Sequence, residues 1–317
     1  MRITAHVGAY LKLLGAVVIW GASFVATKIV LRELPPLMMV WTRFLMGCIF
    51  LGIVVTARRQ LSLPSLPSFL YLGLIGFVGI TFHQWLQSTA LQTTEASTSS
   101  WIVATSPVFM ALLGWLVLRE RMDIGMMAGI VLAAIGVALV VSKGSWSRLF
   151  GGHFGTSGDL LMLISAANWA VFSALSKRGL RDQAPTQMMF LVMVWGWALT
   201  SLLLILTRSW HSLEMLSLSG WIGLLFLGFF CSGVAYLFWY DGLQAVPVVQ
   251  VGAFLYIEPL VTMVVAVVLL QEKVNWASLV GGGLILFGVW LVNRPVSAQR
   301  SLSPKEALHT PAQSSMD

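Results

Sequence analysis

The sequence predicts an all-α integral membrane protein: ten transmembrane helices arranged as two inverted five-helix repeats. Three observations lead there. Of 317 residues, 58% are apolar and 10% charged, with a mean hydropathy of +0.86, whereas soluble domains carry about 25% charged residues. Ten stretches have the length and apolarity of a membrane span. A set of anchor residues also recurs half a chain later.

Crossing a hydrocarbon core of about 30 Å takes about 20 helical residues, and such stretches fall in order along the chain. The first, 9–31, carries Trp20 and ends near Lys28; the second, 37–57, holds Arg43 and Cys48. The third, 68–91, has a stripe of Gly73, Gly76 and Gly79 followed by His83 and Gln84. The fourth, 96–118, contains Trp101 and Pro107 and ends at Glu120 and Arg121. The fifth, 124–142, opens with Gly125 and Gly129. The sixth, 158–178, carries Asn168, Trp169 and Lys177. The seventh is 186–207, and the eighth, 219–243, holds Cys231, Trp239, Tyr240 and Asp241. The ninth, 248–270, contains Glu258 and Pro259 before Glu272 and Lys273, and the tenth, 276–292, begins with Ala277 and Gly281. Runs such as 261–270 do not alternate in polarity, which excludes a barrel strand. Helices then satisfy the backbone in lipid.

The repeat supplies the organisation. Trp20, Lys28 and Pro36 recur as Trp169, Lys177 and Pro185 at an offset of 149; Pro107, Glu120 and Gly136 recur as Pro259, Glu272 and Gly288 at 152. Five spans is an odd number, so the second unit enters the membrane from the opposite face. Inverted repeats of this kind underlie alternating-access carriers. The units are expected at 1–142 and 158–293, joined by a polar linker at 143–157 and followed by a disordered cytoplasmic tail at 294–317. The matched small pairs, Gly125 with Gly129 and Ala277 with Gly281, are read first as packing within a repeat and second as a homodimer face.

The net charge of +7 sorts by side of the membrane. With the N-terminus inside, inner segments carry 12 Lys and Arg against 6 in outer ones, which puts both termini in the cytoplasm. Lys28 and Lys177 are expected to snorkel, each to its own interface. This basicity is topological and implies no nucleic acid. The two cysteines, Cys48 and Cys231, sit apart within spans, so no disulfide or metal framework is expected, and no cofactor. The first stretch reads as a span rather than a cleaved signal.

Chemistry concentrates at the helix breaks. Pro107 and Pro259, at matched mid-span positions, free the carbonyls of Val103 and Leu255. A broken helix in lipid must face protein or water. Glu258 lies next to Pro259 near the bilayer centre, where a carboxylate costs at least about 2.5 kcal/mol on the insertion scale. Its expected partners are Arg43 or His83, although Arg43, near the outer surface, also reads as a snorkelling side chain. Aromatic and polar residues near these positions suit an amphipathic solute. The candidate binding residues are Trp20, Arg43, His83, Gln84, Trp101, Asn168, Trp169, Tyr256 and Glu258, with Pro107 and Pro259 as helix breaks. Recognition is expected where the halves disagree, as at Ser106 against Glu258 and Ser23 against Phe172.

The duplicated five-helix units, Trp-Gly-x-x-Phe at Trp20 to Phe24, Arg43-Phe44, Ser106-Pro107-Val108, Glu258-Pro259-Leu260 and the Glu after spans four and nine resemble the EamA branch of the drug/metabolite transporter superfamily. The resemblance covers residues 9–293. It implies a ten-helix carrier of the bacterial inner membrane. Such a carrier moves amino acids, related metabolites or toxic organic compounds, often outward, from a cavity between the halves. Small four-helix relatives couple to protons through a Glu in their first helix, and the first span here has no carboxylate. The expected partners are thus a small-molecule solute and the lipid bilayer. A P-loop is absent from the sequence. A channel is the alternative, disfavoured by the lack of charge rings or a filter-like loop. An intramembrane enzyme would need clustered acids or ligands that the sequence lacks.

Overall fold

A computed structural model describes residues 2–119, 122–145, 155–180, 183–208, 210, 213, 216–245, 251 and 254–294. The pair Glu120 and Arg121, most of the linker, the tail beyond Arg294 and part of the stretch 246–253 lie outside the described residues. The described chain is helical throughout its ordered elements. We number ten helices: α1 (Arg2–Val30), α2 (Pro36–Ala57), α3 (Leu66–Leu91), α4 (Ala96–Val117), α5 (Ile124–Val141), α6 (Ser157–Gly179), α7 (Pro185–Thr207), α8 (Leu218–Gly242), α9 (Leu255–Leu270) and α10 (Trp276–Val292). Among the described residues, α1 to α8 are long and apolar enough to cross a membrane, while α9 and α10 are shorter apolar helices.

Local chemistry sets the ends. Pro36 and Pro185 open α2 and α7, where a missing N–H costs nothing. Asp123 accepts from Met126 N at 2.7 Å to cap α5, and Asn275 accepts from Ala277 N at 3.0 Å to cap α10. Thr156 and Asp159 form a reciprocal capping box on α6. Within α3 and α8 the backbone widens into π-helical turns at Phe77–Phe82 and Phe226–Ala235. The two segments overlap under the 152-residue offset, and such turns often mark functional positions.

The main helix contacts join the first 142 residues to those after 156. Helix α1 packs on α8 and α9, α6 packs on α3 and α4, α2 on α7 and α8, α7 on α3, and α5 on α10. This corrects the expectation that the small-residue motifs pack within a repeat. At the α5–α10 seam a Cβ on Gly129 would lie 2.5 Å from Gly288 O, and one on Gly136 2.6 Å from Gly281 O. Gly125 meets no other helix there, only its own cap residue Asp123. The stripe on α3 serves two seams: Gly73 lies against Trp195 and Gly76 against Val192 O of α7, while Gly79 lies against Phe172 of α6. Without a hydrophobic force between helices in lipid, such close backbone contact supplies the adhesion.

Polar clasps hold both ends. Near the start of α1, Asp241 accepts from Lys12 at 2.7 Å and from Arg58 at 2.9 and 3.2 Å, tying α1, α2 and α8 together. Near its finish, Lys28 donates to Thr94 O, and its Nζ lies 4.0 Å from Glu272. The expectation of a snorkelling Lys28 is therefore replaced by a bridge between helices. Thr94 in turn donates to Asp159 at the head of α6.

Candidate functional site

The broken helices build the site. Helix α4 stops at Val103 and restarts at Ser106, whose hydroxyl donates to the freed Val103 carbonyl at 2.7 Å. Helix α9 opens with a 3-10 turn at Leu255–Ile257, and the Glu258 N–H answers the Leu255 carbonyl. Each carbonyl that its proline frees thus finds a local donor. Thr262 Oγ1 lies 2.8 Å from Gly21 O and 3.0 Å from Glu258 O, pinning α9 to α1. The approach is close enough that a Cβ on Gly21 would lie 2.8 Å from Glu258 O.

Between these breaks lies a cavity of about 80 Å³, counted as room for the centres of water-sized bodies. At about 10–15 Å³ per water on that measure, it holds a handful of waters or a small organic molecule. Helices from both halves line it. Of the sequence candidates, Trp20, Arg43, His83, Gln84, Trp169, Tyr256 and Glu258 line it, together with both Pro107 and Pro259. Trp101 and Asn168 do not. Trp101 is 2% exposed and fills the gap over Gly282 of α10. Asn168 Nδ2 donates to Val78 O at 2.9 Å, inside the π turn of α3.

Two expectations about charge are corrected. Arg43 does not snorkel: it is 3% exposed, and donates from Nε to Ser232 Oγ at 3.1 Å, from Nη1 to Gln84 Oε1 at 3.2 Å and from Nη2 to Cys231 Sγ at 3.0 Å. Its guanidinium also lies 5.1 Å from the Phe44 ring centre. Neither Arg43 nor His83 pairs with Glu258. His83 Nδ1 sits 3.2 Å from Ser165 Oγ, and its ring packs 5.1 Å from that of Trp169. Among the described residues, the Glu258 carboxylate has no hydrogen bond or ion pair, and Glu258 is half-buried at the cavity wall.

Sequence reasoning missed Gln87, Ser100, Cys231 and Tyr236 as lining residues, gave Phe24 no binding role, and named Val103 and Leu255 only for their freed carbonyls. Several had a signal. Gln87 is one helical turn beyond His83 and Gln84, and Phe24 one turn beyond Trp20. Tyr236 occupies the place of Gln84 under the 152 offset. Cys231 carried none, because its role comes from a tertiary contact: its carbonyl accepts from Trp20 Nε1 at 3.3 Å.

A polytopic helical bundle around a small central cavity, with polar clasps at both ends, defines a membrane transport protein. The comparisons agree: residues 7–142 and 156–294 match the EamA-like transporter family, and the chain belongs to it. An uncharacterized transporter of Archaeoglobus fulgidus is 32% identical over 286 residues, covering 89% of this chain and 96% of that one. A probable amino-acid metabolite efflux pump of Salmonella typhimurium is 29% identical over 286 residues, covering 87% and 91%. A crystal structure at 21% identity shares the fold, with a TM-score of 0.62 over 92% of this chain and 96% of that one. The relatives are named as transporters or efflux pumps, and the protein is a transporter rather than an enzyme.

Proposed function

We propose that the protein is a secondary carrier that exports small organic solutes, such as amino acids, related metabolites or drugs, across the bacterial inner membrane by alternating access. One observation carries the reading: a central cavity bounded by broken helices from both halves, Ser106-Pro107 on one side and Glu258-Pro259 on the other. In this reading all ten helices cross, as two inverted repeats. Helix α10, at 17 residues and about 1.5 Å per residue, reaches about 26 Å, close to the hydrocarbon thickness of about 30 Å. The cross-half pairs support a rocking motion. Trp20 of α1 donates to Cys231 O in the π turn of α8, and Asn168 of α6 donates to Val78 O in that of α3. The 12-to-6 split of basic residues supports cytoplasmic termini. Outward transport is supported by the efflux names of two relatives.

The test is counterflow in ATP-free proteoliposomes with labelled amino acids, amines and cationic dyes. Accumulation of at least one solute against its unlabelled pool is expected. Folded protein that moves none of them, or that passes steady current instead, would contradict the reading.

A further inference from the structure

We propose that Glu258 selects the cargo, and that the cargo is a small monocationic amine with an apolar body rather than an anion or a zwitterion. This rests on the carrier reading and names the chemistry of its solute.

The cavity wall holds two charged side chains of opposite circumstance. The Arg43 side chain is anchored and covered: three of its nitrogens donate to the neutral groups of Ser232, Gln84 and Cys231, Phe44 lies beside it, and it is 3% exposed. Its charge meets no anion among the described residues, but so buried a guanidinium presents little surface to an incoming carboxylate. Glu258 is the reverse. Among the described residues it has no donor, and it shares the cavity wall with the side chains of Cys231 and Tyr236. The matched residue Ser106 spends its hydroxyl on its own helix break. Among the described residues the Glu258 oxygens make no such local bond, so they are left for a donor from the cavity. A buried carboxylate of this kind wants a cationic partner.

The walls suit the rest of such a molecule. Trp20 is fixed by its bond to Cys231 O and by ring contacts to Tyr236 at 5.2 Å and Trp239 at 5.1 Å. Trp169 and Phe24 add aromatic surface. Aromatic faces attract an ammonium group and accept a flat apolar body. A volume of about 80 Å³ limits the cargo to small solutes in this conformation.

Binding to purified wild type and Glu258→Gln, measured by calorimetry, tests the assignment with probes of matched shape: phenethylamine, phenethyl alcohol, phenylpropionate and phenylalanine. Wild type should prefer the amine over the alcohol by at least about tenfold, the worth of a charged hydrogen bond. Glu258→Gln should lose that preference while still binding the alcohol, which shows an intact cavity. Equal amine binding by both proteins overturns the proposal, as does a wild-type preference for phenylpropionate or phenylalanine. Counterflow of labelled phenethylamine and phenylalanine separates the two readings. If wild type binds amines selectively but moves no solute, the carrier reading fails and this one stands. If it moves phenylalanine without any amine preference, the carrier reading stands and this one fails.

Discussion

Glu272 holds Ser97 by two bonds: Ser97 Oγ donates to Oε2 at 2.5 Å and Ser97 N to the same oxygen at 3.2 Å. Ala96 N donates to Oε1 at 2.8 Å. These are the first free N–H groups of α4, and the residue in the capping position, Glu95, makes no side-chain cap bond. The cap therefore arrives from the α9–α10 turn, across the two halves. Glu272→Ala should lower stability by about 1–2 kcal/mol, as for loss of a charged cap. A falling thermal midpoint in detergent checks this, and an unchanged one contradicts it. Lys28→Met removes the bond to Thr94 O together with the long 4.0 Å approach to Glu272, and should cost about 0.5–1.5 kcal/mol.

The α5–α10 seam distinguishes glycines that need to be glycine from one that does not. A Cβ at Gly136 would sit 2.6 Å from Gly281 O, whereas one at Gly283 would meet nothing within 4 Å. Gly136→Ala should push the helices apart and destabilise by about 1–3 kcal/mol, as overpacking does. Gly283→Ala should be neutral or stabilising by up to about 1 kcal/mol through helix propensity. Thermal unfolding of the two variants side by side makes the comparison, and equal midpoints would count against the seam.

Arg43 is a scaffold for the cavity, and lysine should not replace it. Lysine keeps the charge but lacks the planar fork that reaches Gln84, Ser232 and Cys231 in three directions. Arg43→Lys should cost about 1–3 kcal/mol through acceptors left unsatisfied. A variant with wild-type unfolding behaviour would show that those bonds carry no weight.

Acid should loosen the turn between α1 and α2. The Ser217 hydroxyl and then its N–H donate to Glu33, at 2.6 and 2.7 Å, and hold that carboxyl below the usual carboxylate range. A lowered value means that the contribution is full above the ordinary carboxylate value of about 4.3 and is lost as pH falls through the lower folded value. The stability gap between wild type and Glu33→Gln should thus be present at neutral pH and close on acidification. A gap that widens in acid would reverse the sign.

Features read from local sequence chemistry transferred well to the structure. Apolar length located the helices, and the two prolines located their breaks, because both depend only on neighbours along the chain. Glu258 was legible as costly for the same reason. Its partner was not: Arg43 is drawn away by Ser232 and Cys231 of α8, residues 189 and 188 positions distant in sequence. Trp20 and Trp169 both reach the cavity, but Asn168, the neighbour of Trp169, turns instead to a π-turn carbonyl that no pattern in one sequence announces. Trp101 looked like a binding aromatic and is a packing one, since Gly282 on α10 leaves room for its ring. The small-residue motifs were legible as contacts, but the choice between packing within and between halves belongs to tertiary structure.

The alternating-access claim is tested most directly by Cys231, a native thiol in the cavity wall that is 2% exposed. In Cys48→Ala protein it is the only cysteine, so a membrane-impermeant thiol reagent applied to one face of a proteoliposome at a time reports which face the cavity opens to. We expect slow labelling from each face, with Glu272→Ala accelerating it from the face that carries the α9–α10 turn and slowing it from the other. Labelling from a single face only, unmoved by the Glu272 change, would contradict alternating access.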